Sequence, residues 1–197
     1  MKSKKLKKVF YKASALSLAR DLLGKHLVRK IGGKRVAGKI VETEAYIGPE
    51  DKASHAYQGK ITERNRIEYL KGGYVYIYLC YGLYWQFNVT AGEEGEPECV
   101  LVRALEPLRG IKKSLYRDEK KLANLANGPG KLCRWMKLDG SFKGEDLCLS
   151  KRIWLEDPGG VKPRIVAGTR IGIDYAGSWA QKPWRFYISE NPFVSRK

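Results

Sequence analysis

The sequence contains few residues of the kinds that bind metals. It has two histidines, His26 and His55, and four cysteines, of which the nearest two along the chain are Cys133 and Cys148. Zinc ribbons and iron–sulfur loops need closely spaced cysteine pairs, and the sequence has none. A zinc deaminase is excluded for the same reason, because its Cys/His ligand set is missing. We therefore expect reduced thiols, no metal and no other cofactor.

Long apolar segments are also missing. No apolar run approaches the ~20 residues that a membrane-spanning helix needs. The basic start of the chain resembles the first part of a secretion signal, but Lys7, Lys8 and Lys12 interrupt the apolar stretch that should follow. We expect no signal peptide, no membrane association, a cytoplasmic location of the bacterial type, and a flexible basic N-terminus over residues 1–8.

Acidic residues are scarce relative to basic ones. Lysine and arginine number 38 against 21 aspartates and glutamates, which gives a net charge of +17. Such an excess favours a polyanionic partner, nucleic acid first and an acidic membrane surface second. The length of 197 residues and the absence of repeats or long linkers indicate one domain over 1–197, and we expect a monomer.

Strand patterns dominate the sequence. Alternating or apolar runs between turn residues predict strands over 26–30, 36–46, 74–79, 84–90, 98–105, 146–149, 164–173 and 184–188. Helical spacing and cap residues predict helices over 13–23, 62–72, 110–125 and 131–137. Because the strands come in runs instead of alternating with helices, we predict an α+β fold: a single domain with a mostly antiparallel, curved β-sheet and flanking helices.

Seven aromatic residues lie between Tyr74 and Phe87. Strand alternation sends Tyr74, Tyr76 and Tyr78 to one face of the sheet. One interpretation is a two-faced core strand. The other is a set of stacking platforms for nucleobases, because tyrosine suits half-wet walls and because Tyr81 stands at the tip between two strands.

Two carboxylates share one face at the end of a predicted strand. Glu42, Glu44 and Tyr46 alternate along it, immediately before a Gly-Pro turn. A functional acid in this position would act as a general base or a nucleophile, provided that a cleft shields it from bulk water. The other interpretation is an exposed strand face that balances nearby lysines. Strand geometry does not distinguish Glu42 from Glu44.

Two further segments suit phosphate oxygens. Residues 64–66 (Arg-Asn-Arg) begin a predicted helix, and residues 128–131 (Gly-Pro-Gly-Lys) precede another. The glycine segment is not a nucleoside-triphosphate loop, since Leu132 stands where Ser or Thr must follow the lysine. Neither segment is specific by itself.

These segments belong to a longer series of motifs in a fixed order. The series consists of 42–46 (Glu-Thr-Glu-Ala-Tyr), 48–51 (Gly-Pro-Glu-Asp), His55, Thr62, 64–65 (Arg-Asn), Tyr76, Tyr78, 81–82 (Tyr-Gly), Asn88, 100–101 (Val-Leu), 103–107 (Arg-Ala-Leu-Glu-Pro), 128–129 (Gly-Pro), 131–133 (Lys-Leu-Cys), 170–172 (Arg-Ile-Gly), 182–183 (Lys-Pro) and 185–187 (Arg-Phe-Tyr). Together, over nearly the whole chain, they closely resemble the alkyladenine (3-methyladenine) DNA glycosylase family.

The resemblance implies an enzyme of base excision repair. Such an enzyme flips an alkylated or deaminated purine (3-methyladenine, 7-methylguanine, hypoxanthine, ethenoadenine) out of duplex DNA and hydrolyses its N-glycosidic bond, leaving an abasic site. The base must leave the stack before its sugar carbon can be reached, so a side chain has to fill the gap. Purines alkylated at N3 or N7 carry positive charge, which makes them good leaving groups that stack well between electron-rich rings.

The resemblance also implies roles for individual residues. By motif position, Glu44 is the general base that activates a water, and Arg103 lies beside that water. The flipped base is held by Tyr46, His55, Tyr78 and Asn88, with Asn88 at the pocket floor. Tyr81 is the wedge that enters the vacated stack. We predict further DNA contacts from Leu83, Arg64, Asn65 and Lys131.

Two alternatives and three departures accompany this interpretation. A non-catalytic protein that binds damaged DNA would not need the acid at position 44, and a glycosylase with lyase activity would need an amine nucleophile in the pocket. No motif places a lysine there. Unlike the family pattern, Glu63 precedes Arg64, residues 68–71 read Glu-Tyr-Leu-Lys, and Gly-Thr stands at 168–169. The first two departures lie near the predicted DNA face.

Overall fold

In the computed structural model, which describes residues 3–196, the strands form one antiparallel sheet. The strands are β1 (Lys4–Lys5), β2 (His26–Ile31), β3 (Lys34–Tyr46), β4 (Val75–Cys80), β5 (Tyr84–Thr90), β6 (Cys99–Arg109), β7 (Ile153–Asp157), β8 (Ile165–Gly168) and β9 (Arg185–Ile188). Their order across the sheet is β1-β7-β2-β3-β6-β5-β4, and β9 pairs with β3 and β8. The predicted α+β class with a mostly antiparallel sheet is confirmed.

The helices are short. The described α-helices are α1 (Ala15–Asp21), α2 (Glu119–Ala123) and α3 (Pro129–Met136), and 3₁₀ helices span Lys8–Lys12, Tyr57–Gly59, Arg66–Tyr69, Lys113–Arg117, Gly140–Phe142 and Asp174–Gln181. The hydroxyl of Ser14 accepts the N–H of Ser17 and caps α1. Pro129 stands at the start of α3, where its missing N–H is not needed.

The two faces of the sheet differ in chemistry. Ala45, Val100 and Val89 are neighbours across β3, β6 and β5, and all three are fully buried against the helices. The residues one position away point to the opposite face, because side chains alternate along a strand. On that face, Glu44 lies next to Leu101 of β6. The apolar face therefore forms the core, and the opposite face carries the polar residues.

Bulges bend the ladder between β3 and β6. Its register shifts around Glu42, which pairs with Ala104, whereas the next residue, Thr43, pairs with Val102. Arg103 is thus left without a pairing partner on β3. A bulge of this kind kinks the strand and redirects a side chain, and here it directs Arg103 toward the carboxylates of β3.

The segment 62–72 differs from the predicted helix. Only Arg66–Tyr69 is helical, as a 3₁₀ turn. The backbone N–H and the hydroxyl of Thr62 both donate to the side-chain oxygen of Asn65, at 2.7 and 2.9 Å. Asn65 N–H in turn donates to the hydroxyl of Thr62. These mutual bonds close a tight turn in place of a longer helix.

The other differences lie in loops. The segment 110–125 is divided into the 3₁₀ helix Lys113–Arg117 and α2. No strand occurs at 146–149, because the Asp146 carboxylate accepts the N–H groups of Cys148 and Leu149 and forms a loop. The predicted strand 164–173 is shortened to β8. The sequence patterns gave no prediction for β7, which pairs with β1 and β2.

The N-terminal segment is more ordered than predicted. Lys4 and Lys5 pair with β7, and Leu6 is buried in the core. Burial of Leu6 fixes the residues on either side of it, so a flexible N-terminus does not describe residues 4–6. Residues 1 and 2, the start of the same predicted segment, lie outside the described residues.

Gly72, which precedes β4, packs directly against the backbone of Tyr11. A Cβ atom at this position would lie 1.9 Å from the carbonyl oxygen of Tyr11, a fully buried residue. We predict that Gly72→Ala lowers the free energy of unfolding by about 1–3 kcal/mol or more, because the backbone must shift. Urea denaturation measures the change. Gly128→Ala, whose Cβ would meet only a lysine side chain at 3.9 Å, is the control, and equal stability of both variants would contradict the prediction.

Candidate active site

A cavity of about 420 Å³ opens on the polar face of the sheet. Its size is within the range of pockets that bind small molecules. It brings together most of the residues that the sequence singled out, since its wall includes Tyr46, His55, Arg64, Tyr78, Tyr81, Asn88 and Arg103. Asn65, Leu83 and Lys131 are not part of this wall.

A row of residues across four strands forms the base of this region. Glu44 on β3 pairs with Leu101 on β6, Leu101 with Asn88 on β5, and Asn88 with Tyr76 on β4. Residues in register on neighbouring strands have their side chains within contact distance on the same face. Four residues that are far apart in sequence thus become adjacent. Leu101, Asn88 and Tyr76 line the cavity.

Glu44 lies immediately behind the cavity wall. It is fully buried, and one carboxylate oxygen, Oε2, accepts the Tyr46 hydroxyl at 3.0 Å and Arg103 Nη1 at 3.2 Å. The other oxygen, Oε1, accepts the backbone N–H of Ile171 at 2.7 Å. All three donors belong to residues that line the cavity. The carboxylate is therefore held in place by the wall itself.

Glu42 is equally buried but faces a different environment. Its Oε1 accepts Arg103 Nε at 3.1 Å and Arg185 Nη1 at 3.2 Å, and its Oε2 accepts the N–H of Ser195 at 2.7 Å. Arg185 and Ser195 are not cavity-lining residues. Strand alternation left the choice between the two acids open, and their bonding partners place Glu44, not Glu42, against the cavity.

Arg103 connects the two acids. It is 8% exposed and bonds to Glu42 through Nε and to Glu44 through Nη1. Burial by itself would lower the pKa of Arg103, but the carboxylates of Glu44 and Glu42 outweigh burial and raise it. The guanidinium is consequently a fixed positive charge beside Glu44.

Tyr46 is held in place by an ion pair between two residues, Arg170 and Asp51, for which the sequence predicts no role. The guanidinium of Arg170 lies 4.7 Å from the centre of the Tyr46 ring and bonds to both carboxylate oxygens of Asp51. Burial, and next the Glu44 carboxylate, raise the pKa of Tyr46, so its hydroxyl keeps its proton and donates to Glu44. Asp51 and Arg170 both occur in the motifs that carry the family resemblance, but those motifs assigned them no role.

His55 is held in one orientation and one charge state. Its Nδ1 lies 2.6 Å from the Tyr76 hydroxyl. Burial strongly raises the pKa of Tyr76, so the hydroxyl stays protonated, and the tautomer of the ring decides which of the two groups donates in this bond. Burial, and next the charge of Arg64, lower the pKa of His55 to about 4. The imidazole is therefore neutral at pH 7, with one ring nitrogen as a donor and the other as an acceptor.

Tyr78 packs beside His55 and beneath Arg64. The His55 and Tyr78 rings are 4.6 Å apart in an edge-to-face arrangement, and the Arg64 guanidinium lies 4.8 Å from the Tyr78 ring centre. Arg64 also donates to the carbonyl of Leu79 at 2.9 Å. Arg64 is therefore located at the rim of the cavity, where its charge lies over an aromatic wall.

Asn88 is buried with a half-satisfied amide. Its Nδ2 donates to the carbonyl of Gln86 at 3.2 Å, and its Oδ1 is 3.9 Å from the thiol sulfur of Cys99. The residue is 2% exposed and lines the cavity. A buried amide with spare bonding capacity is costly unless a ligand or water completes its bonds.

Asn65 is not placed for the predicted contact with DNA. It is fully buried, its Nδ2 donates to the carbonyls of His55 and Lys60, and its Oδ1 accepts from Thr62. Every polar atom of this side chain is occupied within the protein. Asn65 therefore acts as a positioning residue that fixes the backbone of His55.

The tip of the β4–β5 hairpin projects into solvent. Tyr81 is 89% exposed and Leu83 is 72% exposed, although both are large and apolar. Tyr81 and Gly82 have φ values of 51° and 68°, the left-handed conformation that a type I′ turn requires at both central positions. That conformation is unfavourable for tyrosine. The turn holds an exposed aromatic ring at the mouth of the cavity.

Lys131 lies on a separate element next to this hairpin. It is in the first turn of α3, is exposed, and donates to the side-chain oxygens of Asn124 and Asn127 at 3.1 and 2.8 Å. Gly130 lies against Tyr84, so closely that a Cβ there would come within 3.0 Å of the ring. The start of α3 and the hairpin thus form one continuous surface.

The thiols and acids are dispersed. Cys80, Cys99, Cys133 and Cys148 are free thiols. Among residues 3–196, the structure contains no group of three or more His, Cys, Asp or Glu side chains placed to hold a metal ion. Over the same residues, no helix combines the length and apolarity needed to cross a membrane.

The chain is similar to known proteins over nearly its whole length. Residues 9–192 match the model of the methylpurine-DNA glycosylase family. A Clostridium tetani protein, provisionally named a 3-methyladenine DNA glycosylase, is 48% identical over 98% of this chain and 100% of its own length. A Natranaerobius thermophilus protein with the same name is 47% identical, over 97% of this chain and 98% of its own.

A human relative extends the similarity beyond bacteria. The human DNA-3-methyladenine glycosylase is 41% identical over 94% of this chain, which corresponds to 66% of the human protein. The family match covers almost the whole domain, including every residue of the cavity wall. The chain therefore belongs to the methylpurine-DNA glycosylase family and is a DNA-repair hydrolase.

Proposed function

We propose that the cavity receives one damaged purine flipped out of duplex DNA, and that Glu44 activates the water that cleaves its N-glycosidic bond. One observation carries this proposal. A fully buried carboxylate lies behind a cavity, and three residues of the cavity wall donate hydrogen bonds to it. A carboxylate held in this way is suited to act as a general base toward a group in the cavity.

The acceptor capacity of Glu44 supports this role. The two oxygens of a carboxylate offer about four acceptor positions, and Tyr46, Arg103 and Ile171 occupy three of them. A water bound at the remaining position would be oriented by Arg103. As the bond to the base breaks, the water attacks the sugar carbon, its proton passes to Glu44, and the negative carboxylate stabilises the positive charge that develops on the sugar.

The walls suit a base that is already a good leaving group. Purines alkylated at N3 or N7 are cationic and bind favourably against the faces of Tyr46 and Tyr78. His55 is neutral, so it does not repel such a base. We propose the substrate range of 3-methyladenine, 7-methylguanine, hypoxanthine and ethenoadenine.

The reaction is expected to end at an abasic site. A strand-cleaving lyase needs an amine nucleophile at the sugar carbon, and no lysine occurs among the described residues of the cavity wall. We propose that Arg64, at the rim of the cavity, and Lys131, in the first turn of α3, contact DNA phosphates. Tyr81 and Leu83, at that tip, would enter the space that the flipped nucleotide leaves.

Glu44→Gln tests the general base. We predict that it slows base release by ~10²–10⁴-fold and leaves binding to damaged duplex nearly unchanged, because the amide keeps the shape of the side chain but cannot take the proton. Single-turnover release of 3-methyladenine and a gel-shift titration measure the two effects.

The matched control is Glu42→Gln. It removes the same charge from the same arginine, but its other bonding partners, Arg185 and Ser195, do not line the cavity, so base release should persist once its thermal unfolding has been shown to lie above the assay temperature. If Glu42→Gln abolishes release and Glu44→Gln does not, the assignment of the acid is wrong.

Tyr81→Ala tests the wedge. An alanine cannot fill the vacated stack, so we predict a shorter lifetime of the complex with damaged duplex, measured as its dissociation rate. Tyr116→Ala is the control, because Tyr116 is also exposed (57%) but does not line the cavity. Equal lifetimes for Tyr81→Ala and the parent protein would remove Tyr81 from this role.

Asn88→Ser tests discrimination against undamaged guanine. Guanine differs from hypoxanthine by an exocyclic amino group, which would crowd Asn88 or leave a donor unpaired. An unpaired buried group costs ~1–3 kcal/mol, so we predict that the smaller serine raises release of guanine relative to hypoxanthine by about ten-fold or more. The ratio of the two single-turnover rates is the measurement. An unchanged ratio in a folded variant would give Asn88 a structural role only.

A further inference from the structure

Glu68 is a buried acid in the cavity wall that the proposed mechanism does not use. It lies on the 3₁₀ helix Arg66–Tyr69, which packs beside β4 and β5, and it is 1% exposed. It belongs to residues 68–71, which depart from the family pattern and which the sequence predicts to lie near the DNA face. In the structure it lines the cavity.

The carboxyl group of Glu68 is only half satisfied. Its Oε1 accepts the thiol of Cys99 at 3.1 Å, and its Oε2 is buried without a hydrogen-bond partner. The Nδ2 group of the nearby Asn65 donates to the carbonyls of His55 and Lys60. No described basic residue forms an ion pair with Glu68 at 4.0 Å or less. An uncompensated polar atom at this depth is unfavourable in the empty protein and favours a ligand that completes its bonding.

The charge state of Glu68 follows from this environment. Burial raises its pKa to about 8, against weaker lowering effects from Cys99, Asn65 and Arg64. The group is therefore mainly protonated and neutral at pH 7 in the empty cavity. A positive charge placed next to it would favour the carboxylate form and lower its pKa by 1–3 units.

Several polar groups surround Glu68 from the neighbouring elements. They are Arg64, Asn65 and Tyr69 on its own segment, His55 on the preceding loop, Tyr76 and Tyr78 on β4, Asn88 on β5, and Cys99 on β6. His55 has its pKa lowered to about 4, whereas burial raises the pKa values of Tyr76, Tyr78 and Cys99. Between pH 6 and 8.5, Glu68 is the member of this set that changes charge.

We propose that Glu68 is a specificity-determining residue whose carboxylate pairs with the positive charge of an N-alkylated purine in the cavity. The inference rests on the proposed function of the cavity and assigns the cationic purines as its preferred substrates. On binding, the proton of Glu68 is released to solvent, and the unpartnered oxygen gains a charged partner. A neutral purine gains no such ion pair and leaves the carboxyl protonated.

The proposal predicts a pH dependence that is specific to cationic bases. Below pH 8 a cationic base must first displace the proton of Glu68, so its binding should strengthen as the pH rises toward 8. A neutral base should gain nothing over the same range. A substitution that removes the charge but keeps the shape should abolish the difference.

Glu68→Gln tests this prediction with two substrates. The kcat/KM values for duplexes with 3-methyladenine, which is cationic, and hypoxanthine, which is neutral, are measured for the parent and the variant from pH 6 to 8.5. We expect the parent to exceed the variant on 3-methyladenine by about ten-fold or more at pH 8.5, and by less at pH 6. On hypoxanthine the two proteins should agree within about three-fold at pH 6, where Glu68 is neutral.

Glu98→Gln is the matched control. Glu98 directly precedes Cys99, burial raises its pKa as well, and it bonds to the N–H of Ala15 away from the cavity. Its variant should follow the parent on both substrates. Identical pH profiles for Glu68→Gln and the parent, or an equal loss on both substrates at every pH, would overturn the proposal. A parent protein that releases neither base would instead overturn the proposed function, and this inference with it.

Discussion

The bonds of Arg103 to Glu42 and Glu44 are the interaction on which the site depends. Two carboxylates two residues apart on one strand repel each other, and both are fully buried. The bulge opposite Glu42 directs the guanidinium between them, with one nitrogen bonding to each acid. A buried group of charges is stable only while every member keeps its partner, since removal of one partner costs about 3–5 kcal/mol. Glu44 is therefore fixed in position before any substrate arrives.

The walls of the cavity are held by the same kind of device. Tyr46 is fixed by Glu44 on one side and by the Arg170–Asp51 pair on the other, and His55 is fixed by Tyr76 and by the contact of Asn65 with its backbone. Tyr46 and His55, which would touch the base, are thus each held in orientation by bonds and contacts to other residues. Such preorganisation keeps reactive groups within a fraction of an ångström of their working positions. It also explains why Asn65 occurs in a motif without facing the DNA.

The polar groups differ in how completely they are satisfied. Asn65 has its bonding capacity used within the protein, which fits a structural role. Glu68 and Asn88 retain unused capacity at the cavity wall. Since buried polar atoms are rarely left without partners, the groups with spare capacity are the ones expected to meet the base. Tyr81 at the hairpin tip is the corresponding case among the aromatic residues. Its ring is exposed in the protein alone, and exposed apolar surface of this kind is typical of an interaction site.

The sequence by itself determined the fold class, the positions of most strands and the order of the motifs, because local periodicity and turn residues specify these features. It did not determine which of Glu42 and Glu44 faces the cavity, since both occupy the same face of one strand. That choice depends on partners from β6, β9 and the loop at Ile171, which are distant in sequence. The short helices at 62–72 and 110–125 and the loop at 146–149 were not predicted, because side-chain bonds to the backbone overrode helix and strand propensity there. Only the tertiary structure showed that Glu68, in a segment predicted to lie near the DNA face, is buried in the cavity wall, because burial depends on the packing of the whole chain.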